Sequence, residues 1–445
     1  MNLAKDLQRY IVENNLFTKN HQILVAISGG VDSVVLGHLL CELGYNIGVI
    51  HCHFGLRAEA DKEAEFVENL ANTWQVPFYF RQFNTAEFAE KAGVSIQMAA
   101  RQLRYNFFEQ IRKQESYNYI ATAHHLNDSL ETAIFNFTKG TGIAGLRGIL
   151  AKNGYIVRPL LFATKQQIRE YAQSHHLQWL EDSSNATDDY TRNFIRHQVV
   201  PRLEEINPNF LQNFAETAQR LYSVEKVWQE KLQQIAQEYL QVNADIWKLQ
   251  FSSKVDVVIL HHFLEKLGFS FRQCQDIYCS KQVGTEFFSA SHWLVRDRTA
   301  WVAVPMHYHE NELTIWQLQE NDILQTLYFT LQSKILEVKH FAIPQNHSQA
   351  YFDAQKLEFP LRVRVWREGD IFQPLGMRGK KKISDLLVDC KIPKNLKKRI
   401  FVVESGKEII YVAGLRSSEF AKITENTQKI CVLSFNDKIG IIEQS

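Results

Sequence analysis

The sequence has no apolar run long enough to cross a bilayer. Its most apolar stretches, residues 22–27 and 257–264, fall far short of the ~20 residues that a spanning helix requires. Proline is scarce and glycine ordinary, 9 and 20 in 445 residues, which excludes collagen-like and low-complexity chains. The six cysteines (41, 52, 274, 279, 390, 431) form no C-x-x-C pair and no regular ladder, so neither a zinc ribbon nor a disulfide framework is indicated. No G-x-x-x-x-G-K-[ST] occurs, which removes the Walker type of nucleotide site. The N-terminus lacks an apolar core with a small-residue cleavage site, and Leu3, Leu7, Tyr10 and Ile11 are spaced as one face of an amphipathic helix. A cytoplasmic protein without membrane contact is expected.

Charge of one sign is also lacking overall, with 50 basic against 49 acidic residues, yet the balance hides a local excess. Residues 362–399 carry twelve Lys and Arg against four Asp and Glu, enough to neutralise several phosphates of a polyanion, although a solvated basic face gives the same count. At 445 residues the chain exceeds the span of one hydrophobic core, and two or three domains are expected.

Four apolar runs (22–27, 47–53, 76–83, 119–123) alternate with helix-like segments at 60–74 and 96–113, the rhythm of a parallel sheet. This predicts a doubly wound, Rossmann-like α/β domain over residues 1–205 with its ligand at the C-terminal edge of the strands. Residues 206–345 read as a helical to mixed domain, with helix predicted over most of 210–267. Residues 346–445 read as a small α+β domain.

The sharpest local signal is Ser28-Gly29-Gly30-Val31-Asp32-Ser33, a glycine turn between the first strand and a helix. Such a turn lets backbone N–H groups and a helix N-terminus approach phosphate, and Ser28 and Ser33 add hydroxyls. Asp32 beside phosphates is repulsive unless a divalent cation intervenes, which points to Mg²⁺. The competing reading is a serine-capped structural turn. Gly140–Gly145 spells G-x-G-x-x-G but follows a helix-like segment, so a dinucleotide fingerprint is rejected in favour of a hinge or phosphate-facing loop beside Lys139. His51 and His53 share a strand face, but no further ligands are evident for a metal.

The SGGVDS loop resembles the signature of the N-type ATP pyrophosphatases, or PP-loop superfamily. Three further blocks resemble the tRNA(Ile)-lysidine synthase family within it. Residues 123–132 (AHHLNDSLET) are similar to its H-H-x-D-D-x-x-E-T block, with Asn127 in place of the first Asp. Residues 181–185 (EDSSN) and 190–196 (YTRNFIR) form the next block. The last runs through Arg367, Gly369, Asp370 and Pro374 to the lysine cluster at 380–382. Where the family has H-x-[DNH]-H-G-L-R, this chain has Phe54 for the second His, followed by Gly55, Leu56 and Arg57. The Phe54 ring is free to stack on a base.

The resemblance implies that ATP adenylates the C2 oxygen of a wobble cytidine and that L-lysine then displaces AMP. It implies ATP held by Ser28, Gly29, Gly30, Val31, Asp32 and Ser33; Mg²⁺ held by Asp32 and Asp128; and catalytic roles for Asp32, Arg104, His124, Asp128, Glu131 and Arg196. His124, Asp128 and Glu131 stand at i, i+4 and i+7, one helix face that can meet the loop. Asp128 and Glu131 suit either a cation or the lysine ammonium. Arg104 is favoured over Arg101 for adenylate transfer. Arg192, Arg196, Lys380, Lys381, Lys382, Lys397, Lys398 and Arg399 are the expected contacts to tRNA(Ile) with a CAU anticodon. A homodimer is left open. The alternatives are an ATP-dependent tRNA thiolase, which needs reactive cysteines by the nucleotide, and a non-catalytic RNA-binding scaffold, which has no use for three converging acids.

Overall fold

The computed structural model describes residues 2–56, 60–181, 191–308, 314–337, 348–438 and 440–441. The chain divides into two compact units, Met1–Trp228 and Gln229–Ser445.

The first unit contains the doubly wound α/β fold expected from the sequence. Helix α1 (Leu3–Glu13) is capped by Asn2, whose side chain accepts the Lys5 N–H, and it buries Leu3, Leu7 and Ile11, the face read from their spacing. There follow β1 (Gln22–Ala26), α2 (Val31–Glu42), β2 (Asn46–His53), α3 (Ala60–Trp74), β3 (Phe78–Gln82), α4 (Thr85–Ala92), α5 (Ile96–Gln114), β4 (Tyr119–Ala121), α6 (Leu126–Lys139), α7 (Ile143–Leu146), β5 (Lys152–Asn153), β6 (Ile156–Val157) and α8 (Lys165–Ser174). Strand order is β3-β2-β1-β4-β6-β5, with β5 alone antiparallel. In β1, Ile23, Leu24 and Val25 are all fully buried, because helices cover both faces of the sheet. The strand therefore reads as a continuous apolar run, without the alternation of a half-exposed strand. Connections leave β1 toward β2 and return to β4 on its other side, so the loop after β1 and the start of α6 after β4 face each other at the switch point of the sheet.

Beyond residue 190, α9 (Thr191–Phe194) continues through a wider π-type turn (Ile195–Val199) into α10 (Val200–Ile206), followed by α11 (Phe210–Tyr239). The predicted helical run over 210–267 stops at Tyr239. Residues Leu240–Asn243 and Ile246–Gln250 pair as an antiparallel hairpin, with Ile246 and Leu249 turned into the core, before helix resumes at Val257–Leu264.

In the second unit, a five-stranded sheet containing Ile246–Gln250, His292–Arg296 and Ala300–Pro305 shares one hydrophobic core with Phe372, Ile383, Leu387 and Val402 of the C-terminal segment. Asn395, fully buried, fixes this packing by donating to the carbonyls of Trp293 (3.2 Å) and Val302 (2.8 Å). A second core lies between a sheet carrying Leu361–Val365 and Phe401–Ser405 and another carrying Phe329–Glu337 and Lys429–Asp437.

Candidate active site

Gly29 adopts φ +94°, a left-handed conformation that only glycine takes without strain, and turns the chain from β1 into α2. Ser33 ties the turn together: its hydroxyl donates to the Gly30 carbonyl (2.9 Å) and accepts the Ser28 N–H (3.1 Å). The N-cap of α2 is Gly30, which has no side chain to satisfy the first amides, so this helix end stays open to an anion.

Asp32 stands in the first turn of α2, and its Oδ1 is buried and has no hydrogen-bond partner among the described residues. Burial pushes its carboxyl above the usual range and Asp128 adds to this, while His125, Lys165 and Arg196 oppose it. Oδ2 lies 3.7 Å from Nε2 of His125.

The start of α6 differs from the sequence expectation. The helix begins at Leu126, so His124 precedes it and does not share its face with Asp128 and Glu131. His125 is the N-cap and is buried: its Nδ1 accepts the Asp128 N–H (3.4 Å), while Oδ2 of Asp128 accepts the His125 N–H (3.0 Å). With Nδ1 accepting, the ring proton sits on Nε2, between Asp32 and Asp128 at 3.7 and 3.5 Å. Burial opposes the charge on Asp128, but His125, Arg192 and His124 outweigh it and hold this carboxyl below its ordinary value. Burial lowers the His124 imidazole to about 4 against the pull of Asp128, so His124 is neutral at pH 7; its Nδ1 is 2.9 Å from the Thr122 hydroxyl.

Glu131 is buried and does not line the cavity. Arg192 Nε donates to its Oε2 (3.0 Å), and Arg196 donates to Oε1 (2.7 Å) and Oε2 (3.0 Å). Arg192 Nη2 also reaches Oδ1 of Asp128 at 3.2 Å. The two arginines thus share one helix face as expected, and the acids of α6 grip them. Asn127 accepts the Lys165 N–H (3.0 Å) and so anchors the start of α8.

A cavity of about 440 Å³ is lined by Ser28, Gly30, Asp32, Ser33, His51, Cys52, Phe54, Arg104, His124, Asp128 and Arg192, among others. Arg104, on α5, lies with its guanidinium 5.1 Å from the Phe54 ring centroid. His51 places Nδ1 2.8 Å from the Ile27 carbonyl. His53 contacts Asp61 (3.1 Å) and the Gly55 N–H (3.2 Å). Burial pushes the thiols of Cys41 and Cys52 up to about 11 and about 12, so neither is a nucleophile at neutral pH. Arg57, Asp182, Ser183, Ser184, Asn185 and Tyr190 lie outside the described residues.

A divalent cation fits Asp32, whose orphaned Oδ1 adjoins the anion site; Mg²⁺ commonly takes one or two carboxylates together with phosphate and water. Asp128 fits less well, since its oxygens are taken by His125 and Arg192. No group of three metal-ligating side chains occurs among the described residues.

In the second unit, Lys380 and Lys382 are exposed, whereas Lys381 pairs with Asp389. Lys397 and Lys398 are half-buried, and Lys398 lies over the Trp293 ring at 5.6 Å. Arg399 departs from its expected role: it is 2 % exposed, donates to the His307 carbonyl (2.8 Å) and covers the Tyr328 ring at 4.5 Å, out of reach of an external phosphate.

His125 escaped the sequence reading, although the H-x-x-D spacing 125–128 is a capping-box variant. Lys165, which helps offset the charge on Asp32, follows a Thr164 cap and gave no chemical signal.

Residues 2–203 match the PP-loop domain, 241–306 the TilS substrate binding domain and 361–434 the TilS substrate C-terminal domain. The tRNA(Ile)-lysidine synthase of Parabacteroides distasonis is 35% identical over 96% of this chain and 99% of its own length. That of Bacteroides thetaiotaomicron is 35% identical over 95% and 97%. That of Porphyromonas gingivalis is 31% identical over 98% and 99%. With the nucleotide loop, its facing acids and the two downstream domains all in family order, this chain belongs to the tRNA(Ile)-lysidine synthase family.

Proposed function

We propose that this chain uses ATP to join L-lysine to C2 of the wobble cytidine, C34, of tRNA(Ile) with a CAU anticodon. The product is lysidine, and the codon read changes from AUG to AUA. In the first step the C2 oxygen attacks the α-phosphorus of ATP and pyrophosphate leaves; in the second the lysine ε-amine attacks C2 and AMP leaves. The observation that carries this reading is the uncapped N-terminus of α2 opening, beside the orphaned oxygen of Asp32, onto a cavity that also holds Arg104, His124 and Asp128.

The turn amides and the Ser28 and Ser33 hydroxyls hold the phosphates of ATP, including the pyrophosphate that leaves. Asp32 is the residue that would hold Mg²⁺, which when bound supplies charge neutralisation at the phosphates. Arg104 stabilises negative charge in transfer. His124, neutral, offers a hydrogen bond. Asp128, ionised and lining the cavity, is already engaged by His125 and Arg192 and contributes negative potential that draws the lysine ammonium without binding it directly. Glu131 acts through Arg192 and Arg196, which it aims. Residues 1–205 carry the chemistry, 206–345 contribute to substrate binding, and 346–445 hold tRNA through Lys380, Lys381 and Lys382 with Lys397 and Lys398. No helix among the described residues is long and apolar enough to cross a membrane, and the cytoplasm, where tRNA is modified, is the proposed location. The protonated state of Cys41 and Cys52 disfavours the thiolase alternative. The test is incorporation of labelled lysine into tRNA(Ile) transcripts: incorporation with CAU and none with an unrelated anticodon supports the proposal, and ATP cleavage indifferent to the tRNA refutes it.

A further inference from the structure

Arg104 is exposed at the cavity and forms no ion pair among the described residues. A long cationic side chain in that position samples many rotamers, and a group that must meet developing negative charge loses rate for every conformer that points elsewhere. What holds it is an aromatic face. The Phe54 ring, just past the end of β2, lies under the guanidinium with 5.1 Å to its centroid.

The ring is itself braced. Phe83 stacks behind Phe54 with centroids 6.0 Å apart and planes inclined at 20°. Phe83 in turn meets Phe107 edge-on at 6.0 Å. Phe107 is buried and stands three residues after Arg104 on α5, so the ladder runs from the guanidinium through two loop and strand-end rings back to the helix that carries Arg104. The backbone at Phe54 is pinned as well, its carbonyl accepting the Thr85 hydroxyl at 2.7 Å. The closed path fixes the ring plane before any ligand enters.

We infer that Phe54 is a positioning residue: its braced ring holds the Arg104 guanidinium at the cavity by a cation–π contact, so that the cation is aimed before ATP and RNA bind. This rests on the proposed use of the cavity for ATP.

The test is a double-mutant cycle on the full chain, reading kcat/KM for tRNA-dependent pyrophosphate release with Phe54→Leu, Arg104→Ala and the pair, together with Phe54→Trp. Leucine keeps the apolar volume but has no π face; tryptophan strengthens it. Expected is a loss of about three- to fivefold for Phe54→Leu, the size of a cation–π contact at an exposed site. Phe54→Trp should retain wild-type turnover, and Phe54→Leu should cause no further loss once Arg104 is alanine. Additive losses, or a Phe54→Trp variant as slow as Phe54→Leu, overturn the inference. A rise in KM for tRNA in Phe54→Leu that persists in the Arg104→Ala background also overturns it, because it assigns the ring to base stacking. If wild-type protein releases no pyrophosphate from ATP, the reading of the cavity fails; if it does and the cycle is additive, only the inference about Phe54 fails.

Discussion

Each of the two units contains a buried cluster of arginine and carboxylate, and the two clusters do opposite things. In the second unit Arg364 stands between Asp370 (2.8 and 3.0 Å) and Glu404, with side chains 9 %, 14 % and 9 % exposed. Asp370 also accepts the Arg367 N–H (2.7 Å), and Glu404 pairs on its other side with the half-exposed Arg362 (2.9 Å). In the first unit Glu131 and Asp128 together hold two cations, and one of them, Arg192, remains 44 % exposed and lines the cavity beside Asp128. Burial and pairing are common to both. They differ in what they face: Arg192 and Asp128 line a cavity, whereas Arg364 ties the paired strands Leu361–Val365 and Phe401–Ser405 to the loop at Asp370.

The most severe way to break the contrast is at the acid that neither cluster contains. Replacing Asp32 with Asn removes the only buried carboxylate oxygen without a hydrogen-bond partner among the described residues and is expected to lower lysine incorporation by at least about a thousandfold, measured with labelled lysine. Glu131→Gln should release Arg192 and Arg196 and lower pyrophosphate release per folded molecule by roughly a hundredfold, together with a loss of stability, because the carboxylate it removes is buried and paired. Arg364→Met should cost stability alone: turnover per folded molecule is unchanged, while breaking a buried network costs about 3–5 kcal/mol in denaturant unfolding. Equal kinetic effects of these last two variants would erase the distinction drawn here.

A gentler effect is expected at the basic segment. Neutralising Lys380, Lys381 and Lys382 should weaken tRNA binding and reduce the slope of log K against log salt by about two, because Lys381 is already paired with Asp389 while its neighbours are exposed. ATP affinity should not change. The smallest effect concerns Asp32 again, in protein without nucleotide. A carboxyl raised by burial binds its proton more tightly when folded than when unfolded, so its contribution to stability falls as pH rises above the ordinary carboxylate range. Asp32→Asn should therefore raise Tm by roughly 1–2 °C at pH 7, and by less at pH 4.

What could be read in advance follows the range of the forces involved. The glycine turn, β1 and β2 were legible because the apolar runs and the need for φ > 0 are local properties of the residues concerned. Arg192 and Arg196 were legible as a pair because four residues bring side chains to one helix face. The choice between His124 and His125 was not, since it turns on the residue at which α6 begins, and a shift of one position exchanges cap and neighbour. Nor could a charge count see that Arg399 lies beneath the surface against Tyr328, or that Lys381 is already matched. Those facts belong to packing between segments far apart in the chain.

The most direct measurement is the stoichiometry of labelled lysine joined to tRNA against pyrophosphate released, with tRNA(Ile) carrying CAU and with the same tRNA carrying another anticodon. One lysine per pyrophosphate is expected for the first and neither product for the second. Pyrophosphate released without lysine in the RNA, or equal release from both RNAs, would contradict it.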